Sequence, residues 1–172
     1  MKYRLIKKIL VLLFFFAIPA INAQEEKFIG LFVYNFTKYF DWPESSKSGD
    51  FKIQVLGHES VYNELLRITG GKKIGTQNIL VQQIASASEI DESQIVFIGY
   101  WHSRFFPEIN TKLLNSPTLL ITEMEGMLDK GSAINFVIRD GTIKFEMKTS
   151  NVTSHQIKTD QRIRELAYRV VE

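Results

Sequence analysis

The sequence feature that most restricts the fold is a set of short, almost wholly apolar runs separated by helical patterns. The runs Phe51–Leu56, Gln94–Gly99 and Thr118–Thr122 have the length and the β-branched character of strands. Helical patterns lie over residues 60–69 and 105–115. Strands without polar alternation are covered on both faces, and intervening helices connect parallel neighbours. The sequence therefore predicts an α/β class: a single-domain layered fold with a largely parallel central sheet.

The other segments extend this sheet and add flanking helices. Gly70-Gly71 ends the 60–69 helix, which Ser60 is predicted to cap, and residues 78–84 follow as another strand. Two alternating runs about Asp140-Gly141 predict a C-terminal β-hairpin. The hairpin strands are predicted over 133–139 and 142–147, and helical segments over 150–157 and 160–170.

An aromatic helix is predicted at the start of the folded domain, over residues 25–40. Proline disfavours helical backbone in the residue before it, so Trp42-Pro43 ends this helix. The helix is expected to be mostly buried, with Asn35 inside the apolar arc. The predicted apolar face contains Phe28, Leu31, Phe32, Phe36 and Tyr39, widened by Ile29, Val33 and Phe40, and the predicted polar strip contains Gly30, Tyr34, Thr37 and Lys38.

Residues 1–23 have the pattern of a cleavable signal peptide. Lys and Arg side chains precede a short apolar run from Ile9 to Ile18, and small residues follow up to Ala23. The run is too short for a membrane span, which needs about 20 apolar residues. We therefore expect cleavage after Ala23, a secreted protein, a single mature domain over 24–172, and no direct membrane insertion of that domain; a retained signal anchor is the weaker alternative.

Charge and cysteine content exclude several function classes. The mature chain keeps 17 Lys and Arg against 19 Asp and Glu, a formal net charge of −2. A chain without a basic stripe lacks the electrostatic footprint of nucleic-acid binding, so we predict no nucleic-acid partner. The sequence contains no cysteine, which excludes disulfides and thiolate metal sites.

No catalytic or metal-binding motif stands out. His58, His102 and His155 are far apart in sequence, so zinc is not expected, and no cofactor is predicted. Glu123 and the acidic residues Glu125 and Asp129 follow a strand, where α/β folds place ligands, although a solvated loop is the simpler interpretation. The sequence therefore predicts a non-enzymatic protein.

An ordered set of segments resembles the YfiR-like family. The strongest element is Tyr34–Pro43, which reads YNFTKYFDWP near the predicted mature N-terminus. The supporting matches are Phe51–Gly57, Gln94–Gly99, Leu119–Thr122, Gly126, the segment from Gly131 to Val137, and Ile143–Met147. The resemblance covers essentially the whole mature chain. It implies a periplasmic α/β protein. The founding member of the family restrains an inner-membrane diguanylate cyclase, YfiN.

The chain departs from the family pattern in places that bear on a partner surface. Ser93 stands where the family often has a cysteine, so redox control through that position cannot operate here. Lys148 replaces a common asparagine at the end of the hairpin. Gln156, Asp160 and Gln161 occupy the linker that often reads Gly-x-x-x-Ser-Ser, and these changes put a conserved partner surface in doubt.

The resemblance implies a regulatory protein that binds the periplasmic domain of an inner-membrane signalling protein, a diguanylate cyclase of the YfiN type, and modulates cyclic di-GMP signalling. A homodimer is compatible with this function. The alternative is a periplasmic small-ligand-sensing or solute-binding module that feeds a sensor kinase or an outer-membrane receptor system. A secreted hydrolase is a third, weaker alternative, because the sequence pattern identifies no residue as a nucleophile or a general base.

Five residues are predicted to contact the partner. Aromatic anchors dominate many interfaces, so the candidates for partly exposed aromatic contacts are Trp42, Tyr100, Trp101 and Phe105, although core packing is the simpler interpretation of each. Strand alternation predicts that Glu146 faces away from its apolar neighbours and is available to a partner. The predicted partner-binding residues are Trp42, Pro43, Glu146, Lys148 and His155.

Overall fold

The structure is a computed structural model that describes residues 18–172, with side chains from Gln24 onward. The predicted signal peptide, residues 1–23, lies outside the described residues apart from the backbone of 18–23. That backbone belongs to the first helix, α1 (Ile18–Tyr39).

Ten strands and four further α-helices follow α1 in the described part of the chain. The long strands belong to one sheet, and helices pack on both of its faces. The elements are β1 (Phe40–Asp41), β2 (Phe51–Leu56), α2 (Glu59–Thr69), β3 (Lys73–Ile74), β4 (Gln77–Ile84), β5 (Ile95–Ile98), α3 (Phe106–Lys112), β6 (Leu119–Thr122), β7 (Ile134–Arg139), β8 (Thr142–Lys148), α4 (Thr149–Ser154), β9 (Lys158–Thr159), α5 (Gln161–Leu166) and β10 (Arg169–Val171).

The central sheet has eight strands in the order β10-β8-β7-β6-β5-β2-β4-β3. Strands β4, β2, β5, β6 and β7 run parallel, and β8 returns antiparallel to β7 as the predicted hairpin. Strand β10 pairs parallel with β8 at one edge, and β3 pairs antiparallel with β4 at the other. The predicted α/β class, largely parallel sheet and C-terminal hairpin are therefore confirmed.

Side-chain alternation divides the core into two layers. In β5, Ile95 and Phe97 belong to the cluster beneath α1 and α2, whereas Val96 and Ile98 belong to the cluster beneath α3. All four side chains are fully buried. This two-sided burial explains why the strand sequence is continuously apolar instead of alternating.

The buried face of α1 differs from the predicted one. Phe28 and Leu31, predicted to be buried, are 44% and 46% exposed, while Thr37 is 3% exposed. Gly30, placed on the polar strip, faces α2, where a Cβ would lie 2.7 Å from Glu64 Cγ. The prediction was wrong because α2 covers the side of α1 that contains small and polar residues, which allows the two helices to approach closely.

Two predictions about helix ends also need correction. The cap of α2 is His58, whose Nδ1 accepts from the Val61 N–H at 3.5 Å, and not Ser60. At the C-terminus, the helix predicted over 160–170 ends at Leu166, and Arg169–Val171 form β10. The exposed edge of β8 supplies backbone partners to this segment, and tertiary pairing therefore overrides its helical pattern.

Candidate functional site

The carboxyl ends of the parallel strands meet at one edge of the sheet, called here the carboxyl edge. The chain leaves β2 through Gly57-His58, β5 through Gly99-Tyr100 and β6 through Glu123. Because these three strands are adjacent, the residues after them lie side by side. Crevices outside the carboxyl ends of strands are where open α/β sheets bind ligands.

Two glycines let the loops after β2 and β5 pack against each other. Gly57 has φ +74°, and a Cβ at this position would overlap the His102 ring. A Cβ on Gly99 would lie 2.7 Å from the Gly57 carbonyl oxygen. The Gly99 N–H donates to the Leu56 carbonyl at 2.9 Å. Side chains larger than hydrogen would therefore push the two loops apart.

A cleft of about 600 Å³ opens at this edge, between the strand ends and the start of α1. Its volume lies within the range of small-molecule sites. Apolar side chains form one part of the lining, and acidic and aromatic side chains form the rest. The lining residues are Glu25, Glu26, Ile29, Gly57, His58, Glu59, Tyr100, Trp101, Glu123, Glu125, Phe136, Ile138, Arg139 and Ile143.

Glu123 is the most deeply placed carboxylate of the cleft, with a side chain that is 13% exposed. One oxygen accepts from the Tyr100 backbone N–H at 3.0 Å, and the other lies 3.5 Å from His58 Nε2. Burial raises the pKa of Glu123 to about 7, the Tyr100 hydrogen bond opposes this rise, and the charges of Glu26 and Glu25 add to it. Glu123 can therefore exchange a proton near neutral pH.

His58 adds little positive charge to the cleft. Burial lowers the pKa of His58, so the neutral ring prevails near neutral pH, although Glu26 opposes the shift. The hydrogen bond that its Nδ1 accepts leaves the ring proton on Nε2, the atom that faces Glu123. The two side chains therefore form a long contact and not a full ion pair.

Aromatic side chains and one ion pair form the rim of the cleft. Trp101 is 80% exposed and Tyr100 50%, and their rings meet edge to face with centroids 5.0 Å apart. Arg139 donates to Glu125 at 2.8 Å. An exposed tryptophan at the mouth of a cleft offers a large contact area to a ligand or a partner.

The arrangement supplies several groups that can hold a ligand. Carboxylates, an imidazole and aromatic faces line the cleft, and they offer charge, hydrogen-bond acceptors and apolar contact. Among the residues that the structure describes, no group of three or more His, Cys, Asp and Glu side chains is placed to hold a metal ion.

Two of the predicted contact residues, Trp42 and His155, are buried near the opposite, amino edge of the sheet. Trp42 is 5% exposed, and its indole N–H donates to the Gln94 carbonyl at 3.2 Å. His155 is 3% exposed, with Nδ1 2.9 Å from the Ser116 carbonyl oxygen. Trp42 is therefore packed in the core, in agreement with the simpler interpretation of this residue, whereas Pro43, beside it, is half-buried.

Glu146 and Lys148 lie on β8 and are also engaged within the chain. Glu146 does face away from the apolar side of the strand, but it is 6% exposed because Arg169 of β10 covers it with two hydrogen bonds of 3.0 Å. The expectation of a free carboxylate was therefore wrong. Lys148 Nζ lies 3.5 Å from Asp129 and keeps partial exposure.

The five predicted contact residues come from different elements of the fold. Trp42 bonds to the residue that precedes β5, Glu146 and Lys148 lie on β8, and two strands separate β5 from β8. The cleft contains different residues. Of the acidic residues considered after β6, Glu123 enters the cleft and Glu125 lies at its rim, whereas Asp129 faces Lys148. The position of Glu123 directly after a buried strand was the sequence signal for this site.

The geometry defines a class of protein: a three-layer α/β domain with an acidic, aromatic-rimmed cleft at the carboxyl edge. Residues 27–168 match the profile of the YfiR/HmsC-like family. Because this match spans most of the chain, the chain belongs to that family, and the resemblance read from the sequence is confirmed. Membership assigns it to a family of periplasmic regulators.

Other comparisons concern the fold alone. A solved structure described as the ABC domain in complex with L-Trp, from Streptococcus pneumonia, matches with a TM-score of 0.50 and 11% sequence identity. The match covers 70% of this chain and 55% of that chain, so the likeness spans about half of that protein. No curated protein matches the chain. Within residues 18–172, no helix combines the length and apolar character needed to cross a membrane.

Proposed function

We propose that this chain is a non-enzymatic periplasmic protein that binds the periplasmic domain of an inner-membrane signalling protein and restrains it. The proposed partner is a diguanylate cyclase of the YfiN type, so that binding lowers cyclic di-GMP output. The observation that carries the proposal is the family match over residues 27–168. We further propose that residues 1–23 direct export and are removed, so that the mature chain begins at Gln24.

Exposed aromatic side chains support a protein-binding role. Trp101 and Tyr100 lie beside each other at the carboxyl edge, and large aromatic side chains provide much of the binding energy in interfaces. The contact residues proposed from the sequence have different roles in the proposed partner surface. Pro43 and Lys148 are accessible enough to touch a partner, whereas Trp42, Glu146 and His155 would shape the surface from beneath.

Affinity capture from membranes tests this proposal. The tagged mature chain, residues 24–172, is incubated with solubilised membranes from the source cells, and captured proteins are identified by mass spectrometry. We expect a membrane protein with a cyclase output domain, and we expect cyclic di-GMP to rise when the gene is deleted. Trp101→Ala should weaken capture, while Tyr168→Ala, an exposed aromatic residue outside the cleft, serves as the matched control.

Two outcomes would contradict the proposal. One is capture without any cyclase together with unchanged cyclic di-GMP in the deletion strain. The other is an intact N-terminus in the exported protein, which would contradict removal of residues 1–23. The oligomeric state is measured on the same sample by light scattering, and a homodimer would double the mass of the mature chain.

The cleft favours a second function, a small-ligand-sensing or solute-binding module that feeds a sensor kinase or an outer-membrane receptor system. Its volume of about 600 Å³ and its buried Glu123 are typical of a site for a small molecule. A ligand that binds one state of the protein better can shift its affinity for a partner. Capture of a sensor kinase or a receptor in place of a cyclase would favour this function.

A further inference from the structure

The cleft at the carboxyl edge has an excess of negative charge. Five glutamates line it, and they come from α1, the start of α2, and the segment after β6. The one arginine of the lining, Arg139, already donates to Glu125. His58 is kept neutral near neutral pH by burial. A ligand with a negative charge would therefore meet repulsion that no free cation of the lining offsets.

Glu123 has acceptor capacity that the protein does not use. A carboxylate has about four lone-pair directions. Glu123 fills one of them with the Tyr100 N–H at 3.0 Å, and its other oxygen lies 3.5 Å from His58 Nε2, which is long for a hydrogen bond. This oxygen, at the base of the cleft, is available to a donor that enters from outside.

The wall that adjoins this carboxylate is apolar. Ile29 from α1, Phe136 from β7 and Ile143 from β8 line the same cleft. Ile29 and Phe136 are almost fully buried in the main core and form the rigid base of this wall. Its accessible apolar surface comes from Ile143, which is half-buried, and from Ile138 of β7, which is 53% exposed and also lines the cleft. A ligand that only carried charge would gain nothing from this surface, whereas an apolar body would be removed from water there.

The rim adds a third feature that suits a cation. Tyr100 and Trp101 present exposed ring faces at the mouth of the cleft. The negative face of an aromatic ring attracts a positive group that lies within about 6 Å of its centre. The negative charge, the apolar wall and the aromatic rim of the cleft all favour the same class of ligand, a cation with an apolar body.

We propose that the cleft binds a small organic cation: a primary ammonium group on an apolar or aromatic body, with the ammonium against Glu123 and the body between the Ile138–Ile143 wall and Trp101. This inference rests on the second function proposed above, the ligand-sensing module, and names its ligand class. The ammonium supplies donors to the unused oxygen of Glu123, and the body covers the apolar wall.

Calorimetric titration with three matched probes tests the charge requirement. The probes are 2-phenylethylammonium, the neutral 2-phenylethanol and the anion 3-phenylpropionate, each added to the mature chain at about pH 8, where Glu123 is ionised. We expect the ammonium to bind at least about tenfold more tightly than the alcohol, and the anion to bind more weakly than both. Equal affinity of the ammonium and the alcohol, or tighter binding of the anion, would overturn the proposal.

Matched variants locate the binding. Glu123→Gln keeps the shape of the side chain and should weaken the ammonium by about tenfold while leaving the alcohol unchanged. Glu108→Gln removes an exposed carboxylate that does not line the cleft and should change neither affinity. Trp101→Ala should weaken both probes, whereas Tyr168→Ala should weaken neither. An ammonium affinity that Glu123→Gln leaves unchanged would place the ligand elsewhere and overturn the assignment.

The titration and the capture experiment test different claims, so failure of one can be distinguished from failure of the other. If none of the three probes binds in the millimolar range, the ligand class and the cleft site fall, while capture of a cyclase would still support the regulatory function. If the ammonium binds with the expected preferences, while no cyclase is captured and cyclic di-GMP is unchanged in the deletion strain, the ligand site stands and the regulatory partner falls.

Discussion

The two tryptophans of the chain lie at opposite edges of the sheet and in opposite environments. Trp42 is 5% exposed, packs edge to face on Phe51 with centroids 4.9 Å apart, and gives its N–H to Gln94. Trp101 is 80% exposed and touches Tyr100. The same residue type therefore stabilises the fold at one edge and remains available for contacts at the other.

Hydrogen bonding separates the two edges in the same way. At the amino edge the Gln94 side chain accepts from the Lys52 N–H and donates to the Ser46 carbonyl, while Thr118 donates to the Ser93 carbonyl. At the carboxyl edge, Glu123 keeps an oxygen without a short bond. Buried polar groups are normally satisfied, so the amino edge fits a structural role and the carboxyl edge fits recognition.

The largest expected effect is the loss of Trp42. We expect Trp42→Ala to lower the free energy of unfolding by about 4 kcal/mol, because a large buried ring and its hydrogen bond are both removed. Urea denaturation followed by circular dichroism measures this loss. A loss below about 1 kcal/mol would mean that packing around Trp42 at the amino edge contributes little to the stability of the fold.

Glu146→Lys tests the other covered position from the predicted contact set. The new ammonium would face Arg169 and Arg139, the two guanidiniums that now lie 3.0 and 4.0 Å from the carboxylate. We expect a loss of about 3 kcal/mol in the free energy of unfolding, because an attractive pair becomes a repulsive one at a poorly exposed site. Glu146→Gln is the control and should lose less. Unchanged stability in Glu146→Lys would restore this residue as a free contact.

The fold was largely predictable because the strands carry a strong local signal. The apolar runs of β2, β5 and β6 identify buried strands, and the helical patterns between them require parallel pairing. The short strands β1, β3, β9 and β10 were missed because they have no such signal, and β10 is an example. Its three residues form a strand only because the edge of β8 offers backbone partners. The wrongly assigned face of α1 has the same cause, since the packing of α2 on Gly30 is tertiary information.

The site was less predictable for the same physical reason. Strand alternation correctly placed Glu146 away from Phe145 and Met147, but could not show that Arg169, 23 positions later, covers it. Glu123 was considered as a residue in a ligand-binding position of α/β folds, but a solvated loop was the simpler interpretation of its sequence context. Its burial and its neighbours Glu25 and Glu26, which α1 brings from nearly 100 positions away, depend on the complete fold.

Glu123→Gln tests the electrostatic difference between the two edges through the pH dependence of the free energy of unfolding. The folded-state pKa is raised from 4.5 to about 7, so the folded protein binds the proton more tightly than the unfolded chain. Stability from this group is complete below about pH 4.5 and is lost as the pH rises to about 7. Relative to the unmodified chain, Glu123→Gln should therefore be about 3 kcal/mol more stable at pH 8 than at pH 4.

The measurement is urea denaturation of both proteins at a series of pH values. Glu108→Gln is the control for the removal of one exposed carboxylate outside the cleft. If the stability difference between Glu123→Gln and the unmodified chain were the same at every pH, Glu123 would not be a poorly solvated carboxylate. The contrast between the two edges would then lose its electrostatic part.

The smallest expected effect belongs to Trp101. Because its ring is 80% exposed, Trp101→Ala should change the free energy of unfolding by less than about 0.5 kcal/mol. The same substitution should remove most of the fluorescence that acrylamide quenches, leaving the protected emission of Trp42. A loss of stability similar to that of Trp42→Ala would show that Trp101 packs into the carboxyl edge. That edge would then be closed, and an aromatic rim free to meet an ammonium ligand or a partner would not exist.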